Sequence, residues 1–104
     1  MYKRQNQQWL SFLGLALSAG AVITGEQMVV QAIQAKKVHL VILAEDTSAN
    51  TFKKVTDKCR FYNVECVQKA DSLELGHALG KEFRKVVGIT NPNFAKALSK
   101  KMNA

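Results

Sequence analysis

The sequence predicts an α/β protein, a three-layer α-β-α sandwich around a small, at least partly parallel sheet. Three observations carry that class. Helical and strand-like apolar patterns alternate along the whole chain in the order α-β-α-β-α-β-α-β-α. One segment, Val38-His39-Leu40-Val41-Ile42-Leu43-Ala44, is almost continuously apolar, as a central strand covered on both faces must be. Finally, 104 residues, 47% hydrophobic with 6 Gly and 1 Pro, suffice for one core and not for two. A single domain over residues 1–104 is therefore expected.

The first helix is read from Trp9-Leu10-Ser11-Phe12-Leu13-Gly14-Leu15-Ala16-Leu17. Ser11, Gly14 and Ser18 form one narrow stripe of small residues and the other faces are apolar, so a mostly buried helix is expected, stopped by Gly20. With Lys3-Arg4 ahead of it and Ala19-Gly20-Ala21 behind it, the run also has the layout of a secretory leader. It is too short to span a bilayer, and the chain has no evident disulfide scheme, which favours the structural helix.

Val22-Ile23-Thr24 is a short β-branched strand broken by Gly25. From Glu26 to Ala35, Val29, Val30, Ala32 and Ile33 share one helical face. Glu26 begins that helix and Lys36-Lys37 close its last turn, matching the dipole. After the central strand, Glu45-Asp46 are expected to satisfy the free N–H groups of the next helix. Phe52, Val55, Cys59 and Tyr62 mark that helix's inner face, and Asn63 ends it. Val64 to Val67 alternates as a half-buried strand. Asp71-Ser72-Leu73-Glu74 has capping-box spacing before a short helix. Val86, Val87 and Ile89 supply the last strand. Asn91-Pro92 then reads as N-cap plus proline at the first helical position, opening a helix lined by Phe94, Ala95, Leu98 and Met102.

Enzyme chemistry finds little support. Gly76-His77-Ala78-Leu79-Gly80-Lys81 has three residues between its glycines and Glu82 after its lysine, so neither the nest nor the hydroxyl of a phosphate loop is available. The two glycines read instead as small positions on a helix face. A receiver-like phosphoacceptor at Asp46 would need an acidic pair after the first strand, where Gly25-Glu26-Gln27-Met28 stands. No nucleophile elbow exists. Cys59 and Cys66, on an expected helix and strand, match no common zinc spacing, and together read as two buried, reduced thiols. No metal, cofactor or small-molecule substrate is expected.

What remains is charge. Lys+Arg 15 against Asp+Glu 8 leaves +7, which favours a polyanionic partner. Patches fall at Lys36 and Lys37, at Lys53, Lys54, Lys58 and Arg60, at Lys81, Arg84 and Lys85, and at Lys96, Lys100 and Lys101. Gly25 opens a helix whose first amides can approach phosphate or a base edge.

Thr24 to Ile33, Val38 to Asp46, Cys59, Tyr62-Asn63-Val64 and Leu75-Gly76-x-x-x-Gly80 together resemble the kink-turn-binding ribosomal-protein superfamily, large-subunit proteins seven-Ae and thirty-e. Gly25-Glu26, Glu45-Asp46, Lys53 to Cys59 and Gly80-Lys81-Glu82 are similar to its bacterial YlxQ-like branch. The resemblance runs over about residues 9 to 99. It implies a four-stranded mixed sheet, a structural first helix, a cytoplasmic, non-enzymatic protein associated with translation, and binding of structured RNA of the helix-internal-loop-helix kind. The size of the chain and its charged surface suit a monomer. In archaeal and eukaryotic members the second helix starts Gly-x-Asn-Glu-x-x-Lys. Here the glycine is Gly25, the Asn falls on Gln27, the Glu on Met28 and the Lys on Gln31, so only the glycine is kept. The loop that caps the RNA bend falls on Lys69-Ala70-Asp71-Ser72 without its proline, and Asp71 would face phosphate unless engaged as a helix cap.

The expected RNA-binding set is therefore Thr24, Gly25, Glu26, Gln27, Met28, Gln31, Lys36, Lys37, Lys69, Ala70, Asp71 and Ser72. Backbone at Gly25, Gln27, and phosphate contacts from Lys36, Lys37 and Lys69 should carry most of the binding, with weaker kink-turn selectivity than in the archaeal relatives. The competing expectation is a protein-interaction module that keeps the fold and docks through the helix from Asn50 to Tyr62.

Overall fold

A computed structural model describes residues 8–103. Within them the chain forms α1 (Gln8–Ser18), β1 (Val22–Thr24), α2 (Glu26–Gln34), β2 (Leu40–Leu43), α3 (Ala49–Tyr62), β3 (Glu65–Gln68), α4 (Ser72–Ala78), β4 (Val86–Ile89) and α5 (Pro92–Met102). Lys3 and Arg4 lie outside the described residues.

The strands make one mixed sheet in the order β1-β4-β2-β3. β2 and β3 are parallel, while β4 runs antiparallel to both β1 and β2. Every residue of β2 is buried. Its side chains alternate between two cores. Leu40 and Ile42 pack with Trp9 and Leu13 of α1, Leu75 of α4, and Leu98 and Met102 of α5. Val41 and Leu43 pack with Val29, Val30 and Ile33 of α2 and with Val55 and Cys59 of α3. Three helices on one face and two on the other complete the sandwich, and the continuous apolar run is the sequence trace of that double cover.

Local chemistry sets the helix boundaries. Asn63 ends α3 in the left-handed region, φ 60°. Asp71 and Glu74 form a reciprocal capping box on α4, with Glu74 N–H donating to Asp71 Oδ1 at 2.8 Å and Asp71 N–H to Glu74 Oε1 at 3.0 Å. Asn91 Oδ1 accepts from the amides of Asn93 and Phe94, with Pro92 at the first helical position.

Several expectations need correction. α1 buries one face only: Trp9, Leu13 and Ala16 are covered, whereas Leu15 and Leu17 are exposed. Of its stripe of small residues, Ser11 and Ser18 are exposed and Gly14 serves close approach, since a Cβ there would lie 3.1 Å from the Ala78 carbonyl oxygen of α4. Lys36 and Lys37 stand beyond α2, whose cap is Ala35, so they do not close its last turn. Phe52, expected on the inner face of α3, is exposed. Cys66 is only half-buried, on the edge strand β3. Gly80 is not on a helix face: α4 ends at Ala78, and Gly80 turns the chain with φ 70°.

Asp46 also serves a different helix from the expected one. Ser48 caps α3, accepting from Thr51 N–H at 3.3 Å. Asp46 reaches instead to the start of α4, accepting from Ser72 N–H at 2.8 Å and Ser72 Oγ–H at 2.6 Å.

Candidate nucleic-acid interface

The register places the carboxyl ends of β1, β2 and β3 and the amino end of β4 along one rim of the sheet. Gly25, Lys85, Ala44 and Lys69 therefore follow one another along that rim in strand order. Three strand spacings separate the two ends, about 14 Å. Backbone bonds lace the row together: Gly25 N–H to Val86 O at 2.9 Å, Ala44 N–H to Lys85 O at 2.9 Å, and Lys69 N–H to Leu43 O at 3.0 Å.

At one end of the rim Gly25 is the N-cap of α2, with φ 99° and ψ 141°. Among the described residues no side chain caps this helix. Its first intrahelical bond is Val29 N–H to Gly25 O at 3.0 Å, which leaves the amides of Glu26, Gln27 and Met28 without a carbonyl within the helix. Gly25, Gln27, Met28 and Gln31 are exposed and Thr24 is half-buried. The dipole makes this end partly positive. Glu26 opposes it only weakly, because its carboxylate is engaged. Thr51 Oγ1–H donates to it at 2.8 Å and Lys54 Nζ lies 3.1 Å away, and these partners hold its pKa below the ordinary range.

Beside Gly25 lies a groove of about 490 Å³ lined by Thr24, Gly25, Glu26, Thr51, Phe83, Arg84, Lys85 and Val86. Phe83 is 57% exposed there. The loop carrying it is braced from behind, with Arg84 N–H donating to Ser72 O at 3.0 Å and Arg84 Nη1 to Phe83 O at 2.6 Å. An aromatic face, two cations and free amides thus share one concavity. The sequence reading grouped Arg84 and Lys85 as a charged patch but did not assign Phe83, Arg84 or Lys85 to the site. The available signal was an aromatic residue between charged ones directly before a strand; its neighbour Gly25 emerges only from the β1–β4 pairing.

At the other end of the rim, the loop 69–72 is built mainly from structural bonds. Lys69 Nζ donates to Met102 O at 3.0 Å, Ala70 O accepts from Glu45 N–H at 2.7 Å, Asp71 is the α4 cap, and Ser72 is buried on Asp46. The concern that Asp71 would present a bare carboxylate to phosphate is answered by the capping box. Lys36 and Lys37 lie at the opposite rim, a full length of α2 from Gly25, about 14 Å. The fold does not bring them to Gly25. Lys53 and Arg60 share the single carboxylate of Asp57 at 3.0 and 3.2 Å, so the charge on α3 is only partly compensated within that helix.

Asp46 holds the loop in place, and its carboxyl sits below the usual Asp range, chiefly through the Ser72 hydroxyl bond, then the Ser72 amide bond. A depressed pKa means that the folded chain resists protonation there. The contribution to stability is complete above the ordinary Asp range and is lost as pH falls through the lowered value. Asp46→Ala should therefore flatten the acid limb: its urea midpoint is expected to fall less than the wild type's between about pH 6 and about pH 3. An identical acid limb in both proteins would contradict this role. Away from the rim, Cys59 contacts Cys66, and that bond together with burial pushes the Cys59 thiol up, so it is a protonated core group at neutral pH. Among the described residues, no three His, Cys, Asp or Glu side chains cluster to hold a metal, and no helix is long and apolar enough to cross a membrane.

Comparison with known proteins identifies the family. Residues 7–99 match the family described as the ribosomal protein L7Ae/L30e/S12e/Gadd45 family. The chain is 44% identical over 91 residues to the RNA-binding protein YlxQ of Bacillus subtilis (strain 168), covering 88% of this chain and 91% of that protein. It is 40% identical over 96 residues to the RNA-binding protein YlxQ of Enterococcus faecium, covering 92% of each. A solved protein with unknown function from Bacillus halodurans C superposes with TM-score 0.91 at 39% identity, over 93% of this chain and 98% of that one. The Giardia lamblia 15.5kD RNA binding protein shares the fold, with TM-score 0.82 at 17% identity over 96% and 86% of the two chains. The chain thus belongs to the L7Ae/L30e/S12e/Gadd45 ribosomal-protein family, on its YlxQ-like bacterial branch.

Proposed function

We propose that this protein is a non-enzymatic, cytoplasmic RNA-binding protein that grips structured RNA on the rim between Gly25 and loop 69–72, in association with the translation machinery. The observation that carries the reading is the uncapped start of α2 at Gly25, set beside Phe83, Arg84 and Lys85 in one groove. The amides of Glu26, Gln27 and Met28 offer donors to phosphate or to a base edge. Phe83 offers a face on which an unstacked base can lie, and Arg84 and Lys85 neutralise the phosphates flanking it. Names of the YlxQ relatives, both described as RNA-binding, support the same reading.

Preference for a kink-turn is the finer part of the proposal. Gln27 can donate and accept at a base edge, whereas Met28 cannot accept from guanine and Gln31 brings no charge. Each missing bidentate contact removes about 1–3 kcal/mol of discrimination. Selectivity for a kink-turn over a straight helix should therefore be positive but modest, on the order of tenfold. Gel-shift titrations against a kink-turn RNA and an unbent duplex of equal length test this. Tighter binding of the bent RNA is expected. Equal affinities would remove the kink-turn preference, and no binding at moderate salt would remove RNA altogether.

A further inference from the structure

A second basic feature lies outside that rim. A groove of about 500 Å³ runs beside the free edge of the sheet, lined by His39, Glu65, Pro92, Ala95, Lys96, Ser99 and Lys100. Its one carboxylate, Glu65, is engaged, accepting from Ser99 Oγ–H at 2.8 Å. Among the described residues neither Lys96 nor Lys100 is in an ion pair. They stand at i and i+4 on α5, where like charges repel and weaken a helix. Lys100 is in the last turn, where the dipole favours a cation, but Lys96, a turn earlier, has no such reason to be basic. The groove opens at the amino ends of β2 and β3, whereas the carboxyl end of α5, just beyond Lys100, is tied to loop 69–72 by the bond from Lys69 Nζ to Met102 O.

Resting on the RNA-binding reading, we propose that this groove is a backbone track: Lys96 and Lys100 contact consecutive phosphates of a helical stem that extends from the RNA held at the rim. A cationic row of this kind, without a direct ion pair, suits the evenly spaced charges of a duplex and carries no base information. The occupant is the stem of the same RNA, since the helix that carries Lys96 and Lys100 is tied at its carboxyl end to loop 69–72.

The test uses two RNAs with the same internal loop, one with both stems cut to a few base pairs and one with extended stems, titrated over a range of KCl. The wild type should bind the extended RNA more tightly, and its plot of log K against log[KCl] should be steeper. Lys96→Gln/Lys100→Gln should lose roughly tenfold in affinity for the extended RNA at about 0.1 M salt and lower its slope by about two, while binding the short RNA like the wild type. Lys53→Gln/Lys58→Gln removes the same net charge from α3 and should leave the slope unchanged, and Lys96→Arg/Lys100→Arg should restore it. Three results would overturn the track and leave the rim reading standing: equal wild-type affinity for both RNAs, an unaltered slope in the α5 variant, or an equal loss in the α3 variant. Absence of wild-type binding to either RNA would overturn both.

Discussion

Gly76→Ala is expected to destabilise the protein by about 3 kcal/mol, a fall in Tm of roughly 12–24 °C, and to weaken RNA binding with it. The helix α4 reaches its closest approach to the following loop at this residue. A Cβ there would meet the Glu82 carbonyl oxygen, and would lie 2.6 Å from the Glu82 carbonyl carbon and 2.9 Å from the Phe83 nitrogen. These are backbone atoms, so no rotamer change relieves the overlap. Helix propensity alone would favour alanine by about 0.5–1 kcal/mol. The steric cost is larger and decides the sign. The displaced segment is also the one that carries Phe83, Arg84 and Lys85 into the groove beside Gly25. Differential scanning calorimetry and an RNA titration at a temperature where the variant is still folded separate the two effects. A Tm at or above the wild type's would show that the loop yields freely.

Gly25→Ala should act the other way round, with a moderate effect on stability and a large one on RNA. Nothing lies within 4 Å of a Cβ built at Gly25, so there is no clash. The cost is conformational: φ 99° with ψ 141° is backbone that an L side chain adopts only under strain, about 1–3 kcal/mol. Relief of that strain re-aims the amides of Glu26, Gln27 and Met28. The added methyl would also project into the open space through which RNA approaches. Charge-assisted amide bonds are worth about 1.5–3 kcal/mol each, so affinity is expected to fall by roughly tenfold to a hundredfold. Filter binding measures it. Retained affinity in a folded Gly25→Ala variant would move the contact elsewhere.

Much of the fold was legible because its determinants are local. Asn63, the Asp71–Glu74 box and the Asn91-Pro92 pair each act on amides within a few residues, so their spacing alone marks the helix ends. Leu40 to Leu43 could be read as doubly covered because burial on both faces leaves no polar position in the run. Of the groove beside Gly25, the sequence marks Thr24, Gly25 and Glu26. Their neighbours Phe83, Arg84 and Lys85 lie nearly sixty residues away and arrive through the antiparallel pairing of β1 with β4, a long-range choice that no local pattern encodes. The bond from Asp46 to Ser72 is of the same kind: the sequence shows an acid ahead of α3, whereas the parallel β2–β3 crossover brings the start of α4 to it. Lys36 and Lys37 follow Gly25 closely in sequence, but the length of α2 carries them to the opposite rim.

Backbone amide spectra of the labelled protein, recorded while a kink-turn RNA is added, bear most directly on the reading. The resonances of Glu26, Gln27 and Met28, followed by Arg84 and Lys85, should show the largest shifts and gain protection from solvent exchange. Saturation with RNA while those three amides stay unmoved and exchange as before would contradict it.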